Sequence, residues 1–117
     1  MKDLFGQALL DFQKGKFTED IITSTNISDD DSLPITYLFR TFKEMPKLEQ
    51  KALKLAKGKI LDVGCGAGSH SLYFQEIGFQ VKSIDISKGA IEVCKLRGLK
   101  YVEVKNILDE TETFDTI

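Results

Sequence analysis

Hydrophobic residues follow two regimes along this chain, and the change falls at Gly58. Before it, apolar positions recur at helical spacing. Leu4, Phe5, Ala8, Leu9 and Phe12 share one face of a helix predicted over residues 3–14 and stopped near Gly15. Residues 16–32 are polar, with Thr23-Ser24-Thr25-Asn26 and then Asp29-Asp30-Asp31, which suits a loop or an irregular arm. A second helix is predicted over residues 35–44. A third starts at Pro46, whose fixed φ suits a first turn, and runs to residue 57 with Leu48, Ala52, Leu55 and Ala56 as its buried face.

After Gly58, short apolar runs alternate with helical periodicity, which implies right-handed crossovers and a parallel sheet. Strands are predicted over residues 59–63, 79–84 and 101–104, and residues 114–117 look like a fourth strand at its beginning. Between the first two strands lies a helix over residues 69–77, with Leu72, Phe74 and Ile77 wholly or partly buried and Gly78 as its stop. Ser87 is a good N-cap for the next helix, which carries Ala90, Ile91 and Cys94 inward and stops at Gly98.

The expected fold class is therefore α/β: a Rossmann-like parallel sheet with flanking helices, truncated at the start of strand four and preceded by an N-terminal helical arm. Residues 1–57 form the arm or cap and residues 58–117 the first half of the sheet domain. At 117 residues the chain suffices for one domain with a modest core but is short for an enzyme of the doubly wound type, so the domain is expected to be incomplete.

A net charge of -2, with acids and bases interspersed, provides no field suited to nucleic acid or an anionic membrane. Lys43, Lys47, Lys51 and Lys54 form a basic line, but without interleaved aromatics or an arginine fork it reads as a solvated helix face. The three consecutive aspartates lack the alternating spacing of a calcium loop and are assigned no metal. The N-terminus has no apolar run after its basic residue and no segment approaches membrane-spanning length, so a cytoplasmic location is expected. Cys65 and Cys94 show no CxxC or His/Cys ligand spacing, and neither a disulfide nor zinc is expected.

The chemistry concentrates in Ile60-Leu61-Asp62-Val63-Gly64-Cys65-Gly66-Ala67-Gly68 and in Ser83-Ile84-Asp85. An apolar run ending in glycine reads as a central strand feeding a tight turn, and glycines at 64, 66 and 68 leave bare backbone against which a flat ligand can lie. Asp85, at the end of the second strand, is placed beside that turn, where a carboxylate can accept hydrogen bonds from both hydroxyls of a ribose. The helix beginning near Ser69 adds free N–H groups and a positive dipole end suited to a ligand carboxylate. A dinucleotide fingerprint fits imperfectly, because its third small position falls on Ser69 while Gly68 comes one residue earlier. Cys65, with nothing basic adjacent in sequence, is read as structural, and His70 as a helix-surface residue rather than a general base.

From about Leu48 to Ile117 the chain resembles the class I S-adenosylmethionine-dependent methyltransferases, whose first motif, an apolar pair, an acid, an apolar residue and GxGxG, is matched from Ile60 to Gly68. The resemblance implies S-adenosyl-L-methionine as cofactor. It places the turn Gly64-Cys65-Gly66 against the methionine and ribose parts, with Gly68 completing the turn, and has Asp62 orienting the amino group. Asp85 would hold the ribose, Ile86 would pack on the adenine face, and Asn106 and the Ile107 amide would meet the exocyclic amine and a ring nitrogen. Asn106 departs from the family's more frequent Asp and keeps only the acceptor oxygen. Arg40, in the Tyr37-Leu38-Phe39-Arg40 segment, lies where many members have an arm over the cofactor and could reach its carboxylate.

The implied reaction is methyl transfer to a small-molecule acceptor, with no catalytic residue assigned, no nucleic acid and no membrane partner. A nicotinamide- or flavin-binding oxidoreductase domain and a non-catalytic nucleoside-binding module stand as alternatives. Because strand one normally has strand four on its other side, the chain is expected to self-associate through an uncovered sheet edge and to lack turnover alone.

Overall fold

In the computed structural model, which describes residues 3–15 and 35–117, three short apolar segments pair as a parallel sheet in the order β1 (Ile60–Val63), β2 (Val81–Asp85), β3 (Val102–Val104). Ile60 lies opposite Val81, Val63 opposite Ile84, and Asp85 opposite Val104. On the other side of β1, Thr116 forms a parallel bridge with Ile60, and the Leu61 N–H donates to the Thr116 carbonyl at 2.9 Å. The fourth strand expected from Phe114 onward thus begins where strand pairing requires it. The polar stretch 16–32, with its three aspartates, lies outside the described residues.

Among the described residues four α-helices accompany the sheet: α1 (Leu4–Gln13), α2 (Lys47–Lys54), α3 (Ser69–Glu76) and α4 (Lys88–Leu96). The α/β class and order read from the sequence hold, with element ends shifted by a residue or a few. The apolar face of α1 meets α4, where Leu9, Leu10, Ala90 and Val93 form one core with Ile35 and Ala67. Ile60, Val81 and Phe74 form a second core between the sheet and α3.

The close crossing of α1 and α4 has a steric origin. A Cβ on Gly89 would collide with the backbone of Gly6, so a hydrogen at both positions lets the helices touch. Asp3 fixes the crossing. Its Oδ1 caps α1 by accepting from the Gly6 amide at 3.0 Å, and its Oδ2 accepts from the Gly89 amide at the start of α4 at 2.9 Å and from the Ser87 hydroxyl at 2.8 Å. The amide bonds at Gly89 and Gly6 and the Ser87 hydroxyl outweigh the opposing effect of burial, which is the largest single influence, and hold its carboxyl below the usual range.

Three local expectations are corrected. The helix predicted over residues 35–44 is two 3₁₀ turns, Ile35–Phe39 and Phe42–Glu44. The break falls at Thr41, extended at φ -80 and ψ 168, whose amide and hydroxyl donate to Glu44 Oε1 at 2.8 and 3.0 Å. A local side-chain bond has displaced the helical one.

The buried face expected on the third helix is only partly right: Ala56 packs on the core as expected, but Ala52 is exposed, Leu48 is 81% and Leu55 82% exposed. Beside Ala56, the inward face carries Glu49 and Leu53, at i and i+4. Polar anchors set this rotation: Glu49 reaches Arg40 and His70, and the Gln50 amide donates to the carbonyls of Phe42 and Met45 at 3.0 Å. Ile77, expected to be buried, is 53% exposed because it caps the end of α3 instead of packing beneath it.

Lys82, on β2, is buried with its ammonium 2.7 Å from Glu112, 2.9 Å from Glu110 and 3.3 Å from Glu103. Its hydrogen bonds to these carboxylates overcome the opposing effect of burial and push its pKa well up, while the same contacts draw Glu112 down to about 2.

Candidate functional site

The site is built on the turn between β1 and α3. As β1 ends at Val63, the amides of Gly64 and Cys65 both donate to the Ile84 carbonyl, at 2.9 and 3.1 Å, folding the chain back over the end of β2. The Gly68 amide donates to the Cys65 carbonyl at 2.9 Å and closes the turn. Gly64 and Gly68 sit at φ +67 and +82 for different reasons. A Cβ on Gly68 would stand 2.6 Å from Leu99 Cδ1 and 2.9 Å from Cys94 Sγ, whereas one on Gly64 would meet nothing within 4 Å. Gly68 allows close packing behind the turn; Gly64 keeps open the space in front of it. Arg97 braces the turn from α4, donating to the Ala67 carbonyl at 2.6 Å.

Asp85 closes the arrangement. Its Oδ2 accepts from the Gly66 amide at 2.9 Å and its Oδ1 from the Ser87 amide at 2.9 Å, so the carboxylate is held against the turn. Asp62 lies deeper. It accepts from the Ser71 hydroxyl at 2.6 Å, and Ser71 accepts from the Ser83 hydroxyl at 2.6 Å. Burial pushes the Asp62 pKa up against the opposing influence of Ser71 and His70, so this acid holds a proton more tightly than a surface aspartate.

A cleft of about 340 Å³ opens over this turn, lined by Phe5, Tyr37, Leu38, Arg40, Glu49, Asp62, Gly64, Cys65, Gly66, Ala67, Ser69, His70 and Asp85. A neighbouring cleft of about 590 Å³ is lined by Asp3, Leu4, Phe5, Asp85, Ile86, Ser87 and Lys88. Phe5 and Asp85 border both. At the rim, the Arg40 guanidinium forks onto Glu49 at 3.1 and 3.2 Å, and His70 Nε2 lies 2.8 Å from Glu49 Oε2. Burial alone would raise the Glu49 carboxyl, but these two partners hold it below its usual value. Arg40 also donates to the Tyr37 carbonyl at 2.6 Å and stacks 3.7 Å over its ring.

Of the residues singled out in the sequence, Asp62, Gly64, Cys65, Gly66, Asp85 and Arg40 meet in the first cleft, and Ile86 lies in the second, 75% exposed. Gly68 stands behind the turn. Asn106 and Ile107 are outside the lining of both clefts: the Lys105 amide donates to the Asp85 carbonyl at 3.0 Å, and the Asn106 oxygen caps the 3₁₀ turn Ile107–Asp109 by accepting from Leu108. Sequence reasoning missed Phe5, Glu49, Ser71, Ser83 and Ser87 as site residues. The period-two alternation of β2, which sets Ser83 on the same face as Asp85, was the available signal for one of them. Among the described residues no group of three or more His, Cys, Asp or Glu is placed to hold a metal ion, and no helix is long and apolar enough to cross a membrane.

Residues 29–115, which include the whole turn and both of its acids, match the family model of the tellurite resistance protein TehB. The chain belongs to the TehB family. Its fold superposes on the crystal structure of a SAM-dependent methyltransferase from Bacteroides fragilis in complex with S-adenosyl-L-homocysteine, with a TM-score of 0.79 and 42% identity, over 97% of this chain and 48% of that one. A ubiquinone biosynthesis O-methyltransferase of Xanthomonas oryzae pv. oryzae is 42% identical over 48 residues, 41% of this chain and 20% of that protein. The corresponding protein of Xanthomonas euvesicatoria pv. vesicatoria is 40% identical over 48 residues. The chain thus matches about half of the solved relative and a fifth of the curated ones. Membership of the TehB family and this superposition bear out the resemblance to the class I methyltransferases.

Proposed function

We propose that this chain carries the cofactor-binding half of an S-adenosylmethionine-dependent methyltransferase acting on a small molecule. The observation that carries the reading is the 2.9 Å bond between Gly66 and Asp85, which joins a glycine-rich turn and the acid proposed to bind ribose at one cleft. The residues fit an adenosyl ligand. Open space stands where a Gly64 side chain would be, Asp85 borders both clefts, and a solved relative at 42% identity holds S-adenosyl-L-homocysteine.

In this reading the cofactor supplies a methyl group on a sulfonium, open to in-line attack. The chain's own residues bind and align. Gly64, Cys65 and Gly66 offer backbone to the methionine and ribose parts, and Asp85 accepts from the ribose hydroxyls while Gly66 and Ser87 fix its orientation. Asp62, steadied by Ser71 and Ser83, receives the amino group. Ile86 covers the adenine, and Asn106 and Ile107 approach its edge. The first 57 residues act as a cap: Phe5 and the 35–40 segment border the cleft, and Arg40, released from Glu49, takes the ligand carboxylate. A small acceptor is supported by the net charge of -2 and by relatives named for ubiquinone biosynthesis.

Titration calorimetry with S-adenosylhomocysteine and with NADH tests the reading. Binding of the first and not the second is expected, and Asp85→Ala should weaken it at least about tenfold, the scale of one lost hydrogen bond to a charged group. Binding of NADH with no response to S-adenosylhomocysteine would overturn the assignment.

A further inference from the structure

The sequence sets Cys65 and Cys94 apart, one in the glycine turn and one on a helix, but the fold brings their sulfurs to 3.7 Å. Neither is oxidised. Cys65 is partly exposed and lines the first cleft, while Cys94 is fully buried behind it and directs its thiol at the Gly66 carbonyl, 3.3 Å away. Gly66 is therefore gripped on both sides, its carbonyl by Cys94 and its amide by Asp85.

We propose that Cys65 and Cys94 form a dithiol couple that a low-molecular-weight disulfide oxidises to an intramolecular disulfide, and that this closure weakens ligand binding at the glycine turn. The first part stands on the sulfur geometry, and the second rests on the cofactor reading above. In the first step the Cys65 sulfur, the one reachable from the cleft, attacks the external disulfide and forms a mixed disulfide, releasing one thiol. The Cys94 sulfur then attacks that of Cys65 and releases the second. The protein loses two electrons and two protons, and the external disulfide becomes two thiols.

Closure changes the turn because a disulfide holds its sulfurs at about 2.05 Å, so these two must approach by roughly 1.7 Å. Cys94 is packed in the helix core against the site of Gly68, leaving Cys65 and the turn to move. The Cys94 S–H that faces Gly66 is consumed as well. Its contact with Cys94 and its burial keep Cys65 in the thiol form, which makes the exchange slow at neutral pH and faster as pH rises.

The experiment equilibrates the 117-residue chain in reduced and oxidised glutathione at about pH 8.5. After acid quench, free thiols are counted and the unreduced intact mass is measured. Both thiols should disappear together, with a mass loss of two hydrogens and no retained glutathione. The oxidised chain should bind S-adenosylhomocysteine about tenfold more weakly, within the usual range of coupling between sites, and by reciprocity saturating ligand should raise the couple's potential by about 30 mV. In Cys94→Ala a glutathione adduct should persist on Cys65. Should that variant fail to fold, Cys65→Ser should leave a single thiol that takes no adduct. A persistent adduct in the unsubstituted chain, or two thiols surviving where dithiothreitol is fully oxidised, overturns the couple. Equal ligand affinity of the two forms overturns the effect on binding. A reduced chain that does not bind S-adenosylhomocysteine overturns the cofactor reading and the affinity effect with it, while the mass measurement still decides the couple.

Discussion

Alanine at Gly64 and at Gly68 separates the two jobs of the turn. Both positions have left-handed φ, +67 and +82, so each substitution carries the same backbone penalty of about 1–2 kcal/mol, eased by a few tenths through the stiffer unfolded chain. At Gly68 the new methyl also arrives 2.6 Å from Leu99 Cδ1 and 2.9 Å from Cys94 Sγ, and forcing a methyl into a packed core adds about 1–3 kcal/mol. We expect a loss of about 3 kcal/mol for Gly68→Ala and about 1 kcal/mol for Gly64→Ala. A chain of 117 residues carries on the order of 6–17 kcal/mol in all, so the first loss is a large share of the total and the second is tolerable. Urea unfolding followed by far-UV circular dichroism reads both, as a midpoint shift of about 1–2 M for Gly68→Ala at an unchanged slope. Gly64→Ala, which stays folded, should instead lose S-adenosylhomocysteine binding because its methyl enters the cleft. If the two variants unfold at the same urea concentration, or if Gly64→Ala binds as the parent does, the division of labour is refuted.

Further expectations concern caps, protons and the sheet edge. Asp3→Ala removes one cap from α1 and another from α4 and should cost about 2 kcal/mol in the same unfolding assay; a loss confined to a few tenths would show that the shared carboxylate is idle. Glu49, Glu110 and Glu112 all have lowered folded-state pKa values, the last at about 2 against an ordinary 4.5, so the stability they contribute is complete above pH 4.5 and drains away as pH falls toward 2. Asp62, raised by burial, works in the opposite sense, but it is one group against these three together with Asp3 and Glu44, which are also lowered. Thermal melts should fall steadily from pH 4.5 to 2.5, and flat melts there would contradict the ion-pair picture. We propose that the chain self-associates through the open side of β1, where Val63 is 41% exposed, and sedimentation should then detect a concentration dependence. A monomer at every concentration would argue against it.

What the sequence made legible was local. The run from Ile60 to Gly68 announces a strand and a turn because apolar burial and glycine geometry act on neighbouring residues, and Asp85 follows from where a second strand must end. The orientation of α2 was not legible, because its leucines suggested one face while Glu49 is claimed by His70, 21 positions away. The Ser83-Ser71-Asp62 chain and the meeting of Cys65 with Cys94 likewise depend on how α3 and α4 lie on the sheet, which no single segment encodes. The split of residues 35–44 turned on one threonine and glutamate bonding to each other, a competition that periodicity does not register.

The Asp3 carboxylate, which joins the beginnings of α1 and α4, has a practical corollary for anyone handling this protein. Because Asp3 grips the Ser87 hydroxyl while the Ser87 amide orients Asp85, an exchange at Asp3 reaches the proposed ligand site as well as the helix crossing. Ligand affinity measured on an Asp3 variant therefore reports on both at once.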